Sequence, residues 1–308
     1  MKSWARRLVA AAGLGLAALL AVGWFGAVHP AFDSVGHFRW HLGALGLAAL
    51  ATLAVLRMCR TALPLAAALV TSTVLAWPAL PGFAPRDGPY DFAVAQQNLL
   101  FLNVLPEQAA KVLLATKADV LLLQEVSERN AGIVRRLADD YPHRTVCRFR
   151  KFRGVAVMSR APFLGVPGCE PKSGLVSARV SIDGRAVTFS SLHTYWPWPH
   201  RQWPAVREIE AQLRALPHPL VLGGDFNAAP WSALVAKVAD DTRTRLVGGF
   251  RFTFNLRILQ RGDSRVGGLP LDHVLFSDGL RSAGVELLPH AGSDHLGTLA
   301  RFRFEGAP

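Results

Sequence analysis

The chain has 308 residues, of which 51% are hydrophobic and only 18% charged, below the roughly 25% charged of an ordinary soluble domain. That balance excludes disorder, which needs the opposite composition, and excludes a plain soluble enzyme unless the apolar excess is concentrated in one place. It is concentrated: residues 1–85 hold six basic residues and the single acid Asp33, so +5 of the total +12, and the remainder is an ordinary mixture leaning basic.

Residues 8–28 carry no charge, and about 20 such residues span a hydrocarbon core. Apolar runs follow at 42–56 and 61–83, the last with Pro64 and Pro78, which membrane helices tolerate. A cleaved signal peptide is the rival reading of the first run, but two more runs follow before any globular pattern begins. The expectation is a transmembrane region over 1–83 with about three helices, a linker at 84–89 and a catalytic domain over 90–308. Lys2, Arg6 and Arg7 precede the first run, and Arg57 and Arg60 lie between the second and third. Basic loops stay cytoplasmic, so three spans leave the domain outside. In a bacterium that means an inner-membrane protein with a periplasmic domain.

The pattern then turns to short β runs separated by helices. Strands are predicted at Phe92–Gln96, Val120–Gln124 and Val155–Ser159. Helices are predicted over Glu107–Lys117, opened by Pro106, and from a Ser127 cap to Asp140. Leu175–Ile182 and Arg185–Leu192 flank Asp183-Gly184, a two-residue hairpin signal. A helix over Pro204–Leu216 precedes a strand at Leu220–Leu222. Late strands are expected at Leu271–Phe276, Arg281–Leu288 and Leu296–Phe304. The cysteines have neither CxxC nor zinc spacing. Cys147 and Cys169 have the option of one bridge in an oxidising compartment, but small buried thiols are the favoured reading.

Polar residues sit where these apolar strands stop. Gly223-Gly224-Asp225-Phe226-Asn227 follows PLVL, placing an acid and an amide two apart on an extended backbone. Gln124-Glu125 ends a buried strand and suits a hard cation such as Mg²⁺. Ser191-Leu192-His193 closes another strand, and Asn98 follows the first. Asp272-His273 opens a late strand; Asp272 is preferred over His273 because a buried acid can orient an imidazole. Ser293-Asp294-His295 offers a base or a metal neighbour. Alone, Gly223–Asn227 is also compatible with a simple turn, Gln124-Glu125 with a solvated strand end, and Ser293-Asp294-His295 with a capped turn.

In this order the motifs resemble the endonuclease/exonuclease/phosphatase superfamily over roughly 90–305. Gly154–Arg160 looks like its central strand, and Phe252-Thr253-Phe254 like an element of its membrane-anchored bacterial members. The resemblance implies an α/β fold, a four-layer sandwich of two mixed β-sheets flanked by helices, here behind the transmembrane region. It implies Mg²⁺ or Mn²⁺ as cofactor, with Glu125 the principal ligand, Asn98 beside it and Asp294 close by; Asn103 is a weaker substitute for Asn98. His193 and Asn227 would donate to phosphoryl oxygens. Asp225 would position water or its proton path. His295, held by Asp272, would be general base or phosphate contact; the division between Asp225 and His295 stays open. A cation and neutral donors are what a phosphoester transition state requires.

Trp196 and Trp198 follow His193 and could stack on bases or enter the bilayer interface. Arg153, with Arg148, Arg150 and Lys151, could bind a nucleic-acid backbone or lipid headgroups. The expected partners are therefore the bilayer and a phosphoester substrate, nucleic acid ahead of lipid, with no protein partner implied. The function the resemblance implies is a membrane-anchored, divalent-metal-dependent phosphodiesterase or nuclease acting outside the cytoplasm; the rival functions are a phospholipid or sphingomyelin-type phosphodiesterase, an inositol-phosphate-type phosphatase, and a non-catalytic binding module.

Overall fold

The computed structural model describes residues 3–77, 88–149, 153–255 and 268–306. Pro78, most of the 84–89 linker, Arg150 and Lys151 lie outside them.

The apolar runs form helices α1 (Ser3–Val22), α3 (Arg39–Val55) and α4 (Cys59–Ala76), with a short α2 (Pro30–Gly36) between the first two. α1 and α4 are long and apolar enough to cross a membrane, and α2 with α3 forms a pair bent by 62° that qualifies only as one broken span. The three long helices pack on Leu20, Leu53, Leu65 and Leu69. Their ends alternate as an antiparallel bundle requires. Arg6 at the start of α1 donates to Leu56 O past the end of α3. At the other end Arg39 donates to Gly23 O and to Ser72 of α4, and its guanidinium lies 3.5 Å from the Trp24 ring centroid.

The remainder folds as two mixed six-stranded sheets flanked by helices, as expected from the resemblance. One sheet is built from β1 (Phe92–Asn98), β2 (Val120–Val126), β3 (His143–Phe149), β4 (Arg153–Ser159), β11 (Leu280–Leu287) and β12 (Thr298–Phe304), in the order β11-β12-β1-β2-β4-β3. The other contains β5 (Gly168–Glu170), β6 (Leu175–Ile182), β7 (Arg185–His193), β8 (Leu220–Asp225), β9 (Thr244–Leu246) and β10 (Asp272–Ser277), ordered β5-β6-β7-β8-β10-β9. Each has one parallel pair at its centre, β1–β2 and β7–β8. Apolar side chains such as Phe92, Leu122, Val157, Phe189 and Val221 fill the space between the sheets. Outside, α5 (Pro106–Ala115) and α6 (Ala131–Leu137) cover the first sheet, and α7 (Gln202–Glu208), α8 (Glu210–Arg214) and α9 (Ala233–Thr242) the second.

Three expectations are corrected. The helix expected from Ser127 starts only at Ala131, because Ser127 and Asn130 close a turn on each other. The helix expected over Pro204–Leu216 is two, broken at Ile209 (φ −109°, ψ 13°). Cys147 and Cys169 are not separate thiols but a disulfide with Cα atoms 5.4 Å apart. Their strands β3 and β5 are outer strands of different sheets, so the bond ties one sheet to the other.

Candidate active site

The parallel pairs aim four strand ends, β1 and β2 of one sheet and β7 and β8 of the other, at a common rim. β10 runs antiparallel to β8 with Asp272 opposite Asp225, so its first residue reaches the same place. Two glycines permit the approach. A Cβ on Gly223 would lie 2.8 Å from Leu122 Cδ1 of the opposite sheet, and one on Gly224 would run into the Leu192 carbonyl.

Glu125 sits at an irregularity of the β2–β4 pairing with φ +56°, a left-handed backbone that a non-glycine residue holds only at a cost. The turn points its carboxylate inward. Oε2 accepts from Phe101 N at 2.8 Å and Oε1 from Arg153 Nη1 at 2.9 Å. Asn98 Nδ2 donates to Asp225 Oδ2 at 2.9 Å while its Oδ1 accepts from Leu100 N. His193 Nε2 is 3.5 Å from Asp225 and 3.9 Å from Glu125. Asn227, also left-handed at φ +46°, donates its backbone N–H to Asp225 Oδ1 at 2.8 Å, and its side chain donates to Thr194 O.

His295 Nδ1 is 2.8 Å from Asp272 Oδ2, and its Nε2 is 3.7 Å from Asp225. Burial alone would lower the His295 pKa, but Asp272 and Asp225 beside it reverse the sign and push it up to about 10. Burial would raise Asp272, yet His295 and hydrogen bonds from His295, Thr253 and Gln96 hold it below its ordinary value. Asp225 lacks such full compensation: burial, aided by Asp272 and opposed by His295, pushes it up to about 7. The pair is therefore an imidazolium on a carboxylate, next to a carboxyl that titrates near neutrality.

Among the described residues, Asp225, Asp272 and His295 form a group of potential metal ligands, their ligand atoms lying within 4.8 Å of one another. A metal-binding histidine must be deprotonated, and Asp272 beside the His295 ring favours its protonated form. The donors better suited to a hard cation are oxygens, here the Glu125 carboxylate and the Asn98 carbonyl. With all groups ionised, Glu125, Asp225 and Asp272, with the Asp294 charge close to His295, outnumber the cations paired with them among the described residues, Arg153 and the His295 imidazolium, an imbalance that fits a divalent cation.

The other expected residues lie as follows. Asp294 is half-buried and its charge raises His295. His273 turns away to Ala228 O and is lowered to about 4 by burial. Asn103 spends its side chain on Leu99, Leu105 and Ala291 of the adjoining loops, so it is not the substitute for Asn98. Arg153 stacks on Phe101 and pairs with Glu125. Trp196 meets Phe254, which packs on His295. Trp198 meets His29 and, through its carbonyl, Ser34, so it sits against the helical region. Sequence reasoning missed Gln96, which donates to both Gln124 and Asp272. It also missed the role of Thr253, whose hydroxyl accepts from Leu271 N and Asp272 N. No local signal marks Gln96, since it sits mid-strand and Asp272 is 176 residues away.

A sequence profile described as Endonuclease/Exonuclease/phosphatase family matches residues 95–295. No curated protein matches by sequence. Among solved structures, the chain is similar to the endonuclease/exonuclease/phosphatase from Bacteroides vulgatus (TM-score 0.58, 14% identity, 70% of this chain and 99% of that one). It is also similar to that from Beutenbergia cavernae DSM 12333 (0.57, 20%, 71% and 73%). A third is D. rerio TDP2 complexed with single strand DNA product (0.54, 17%, 69% and 98%). At these identities the likenesses carry the fold.

Proposed function

The chain belongs to the endonuclease/exonuclease/phosphatase family, and from that premise we propose that it is a membrane-anchored, divalent-metal-dependent phosphoester hydrolase working outside the cytoplasm. The observation that carries the reading is the convergence, at one rim, of Glu125, Asn98, His193, Asp225, Asn227 and the Asp272–His295 pair. Glu125 and Asn98, with Asp294 nearby, would hold Mg²⁺ or Mn²⁺. The cation would supply charge to stabilise the phosphoryl oxygens. His193 and Asn227 donate to those oxygens. The His295 imidazolium, oriented by Asp272, acts as a donor to the phosphoryl group, which leaves Asp225 as the group able to take a proton from water near neutral pH. The disulfide supports an oxidising location, since such bonds are rare in the cytosol.

Two observations favour an amphipathic phosphoester, a lipid or lipid-linked substrate, over the nucleic acid that the loops first suggest. A cavity of about 640 Å³ leads away from Arg153 and Phe101, with Val126, Val134 and Val146 in its wall beside Arg129, Arg135 and Arg148. Aliphatic side chains with arginines suit an acyl chain and its anionic headgroup, whereas single strands are held by aromatic platforms. Trp198 is already engaged with the helical region. The test offers DNA, RNA, sphingomyelin and phosphoinositides to the full chain in nanodiscs, with Mg²⁺ or Mn²⁺ and then EDTA. EDTA-sensitive release of a lipid headgroup faster than any nucleic acid is cut is expected. Faster cutting of nucleic acid would return it to first place, and no cleavage with either metal would remove the reading.

A further inference from the structure

The segment between the first two long helices does more than connect them. Asp33 is the only acid in residues 1–85, and it is 2% exposed. Its carboxylate accepts from Ser232 Oγ at 2.8 Å, Ala233 N at 2.9 Å and Leu234 N at 3.3 Å. Those are the cap and first residues of α9, so a residue of the helical region caps a helix of the catalytic domain about 200 positions later. Two neighbours bind the same loop: Gly36 O accepts from Trp231 Nε1 at 2.7 Å, and His37 Nδ1 from Ala229 N at 3.4 Å. This loop begins at Asn227, whose left-handed backbone and N–H to Asp225 shape the rim.

A second contact reaches the other side of the site. The Trp40 ring packs at 5.3 Å on Phe250 and 6.3 Å on Phe252, and Phe250 stacks at 5.5 Å on Trp231. The next residue, Thr253, anchors the Asp272 backbone through its hydroxyl. The backbone of 253–255 also bonds that of 294–296: Leu296 N donates to Thr253 O at 2.7 Å, and Asn255 N to Asp294 O at 3.0 Å. The strip that fixes Asp272 and His295 therefore rests on the start of α3.

We infer that the segment 29–41 is a clasp completing the active site, with Asp33 and Trp40 as positioning residues that fix Asn227 and the Asp272–His295 pair from outside the catalytic domain. The chemistry does not pass through them; they hold two loops that would otherwise be free to shift, and a shift of about 1 Å at a reacting centre can cost a hundredfold. The inference rests on the proposed hydrolase reading only for its kinetic arm.

The experiment uses the full chain in nanodiscs with Mn²⁺ and bis(p-nitrophenyl) phosphate, with amide hydrogen exchange measured on the same samples. Asp33→Ala and Trp40→Ala should each lower kcat about tenfold or more while KM moves less than about twofold. Asp33→Asn should fall between, because its carbonyl still accepts from Ala233 N. Val55→Ala, on a side chain 81% exposed on the bundle, should match the wild type. Exchange should quicken in 226–232 and 268–273 in both Ala variants, and stay unchanged in 92–98 and 120–126. Unchanged kcat and exchange would overturn the inference. So would uniform quickening across all four segments, which would make Asp33 and Trp40 general stabilisers. If the wild type hydrolysed nothing, the hydrolase reading would fall while the exchange pattern still decided the clasp.

Discussion

Glu125 and Asn227 show what a site residue costs. Both hold left-handed backbones, conformations that persist only where surroundings over-determine them, and both turn a polar group into the rim. That these residues are candidates was legible, because each ends an apolar strand in a polar group where a bland strand would finish in a turn. Their backbone geometry was not, because neither is a glycine. Nor was the division of labour between Asp225 and His295, which depends on burial and on Asp272. In the proposed reading Asp225 is the base: with Asp225 pushed up to about 7 and His295 to about 10, the rate should rise with pH through the neutral range as Asp225 ionises. Asp225→Asn should remove that limb and about 10²–10⁴-fold of the rate, as a pH–rate profile would show; a limb surviving in the variant would assign it elsewhere. The linkage signs agree, and only the pH windows differ. The raised Asp225 makes the folded state the tighter proton binder, so its contribution to stability falls as pH climbs from 3.8 to about 7. His295, raised from 6.5, stabilises fully below 6.5 and loses that contribution as pH rises through about 10.

At the level of elements, the strands with continuous apolar runs were readable, β1, β2, β4 and β8 among them, because both faces of each are covered. The hairpin at Asp183-Gly184 was equally plain, and both residues have the positive φ its turn demands (+49° and +79°). β3 was missed because its residues alternate between exposed and half-buried until Cys147, and its pattern, HRTVCRF, reads as a basic loop. Without β3 and β5 the disulfide was not legible either, since it requires two edges that only the sandwich brings together. It closes a loop across 22 positions, for which chain entropy predicts a stabilisation of about 3 kcal/mol. Replacing both cysteines by serine should lower the denaturation midpoint accordingly, and dithiothreitol should do the same to the wild type. A midpoint indifferent to both would mean the bond is not formed in the protein.

At the scale of the whole molecule, the clasp and the charge pattern point to the same topology. The 29–41 segment touches the domain, so both lie at one end of the bundle, while Arg6, Arg7, Arg57 and Arg60 fall at the other, the end that basic residues would keep cytoplasmic if the bundle spans a bilayer as proposed. Contact between Asp33 and α9 was not legible, because a capping acid and its helix carry no mark of each other across about 200 residues. A reporter active only after export, fused beyond Pro308, should be active, and a cytoplasm-only reporter silent; the reverse would place the catalytic rim inside the cell. The central claim, that this rim hydrolyses a phosphoester with a metal held at Glu125, is tested most directly by one measurement. It is the rate of bis(p-nitrophenyl) phosphate hydrolysis by the full chain in nanodiscs as Mn²⁺ is titrated into chelated protein, for the wild type and for Glu125→Ala. The account predicts a saturable, metal-dependent rate in the wild type and almost none in the variant at any Mn²⁺ concentration. Equal rates in the two proteins, or full activity before any metal is added, would contradict it.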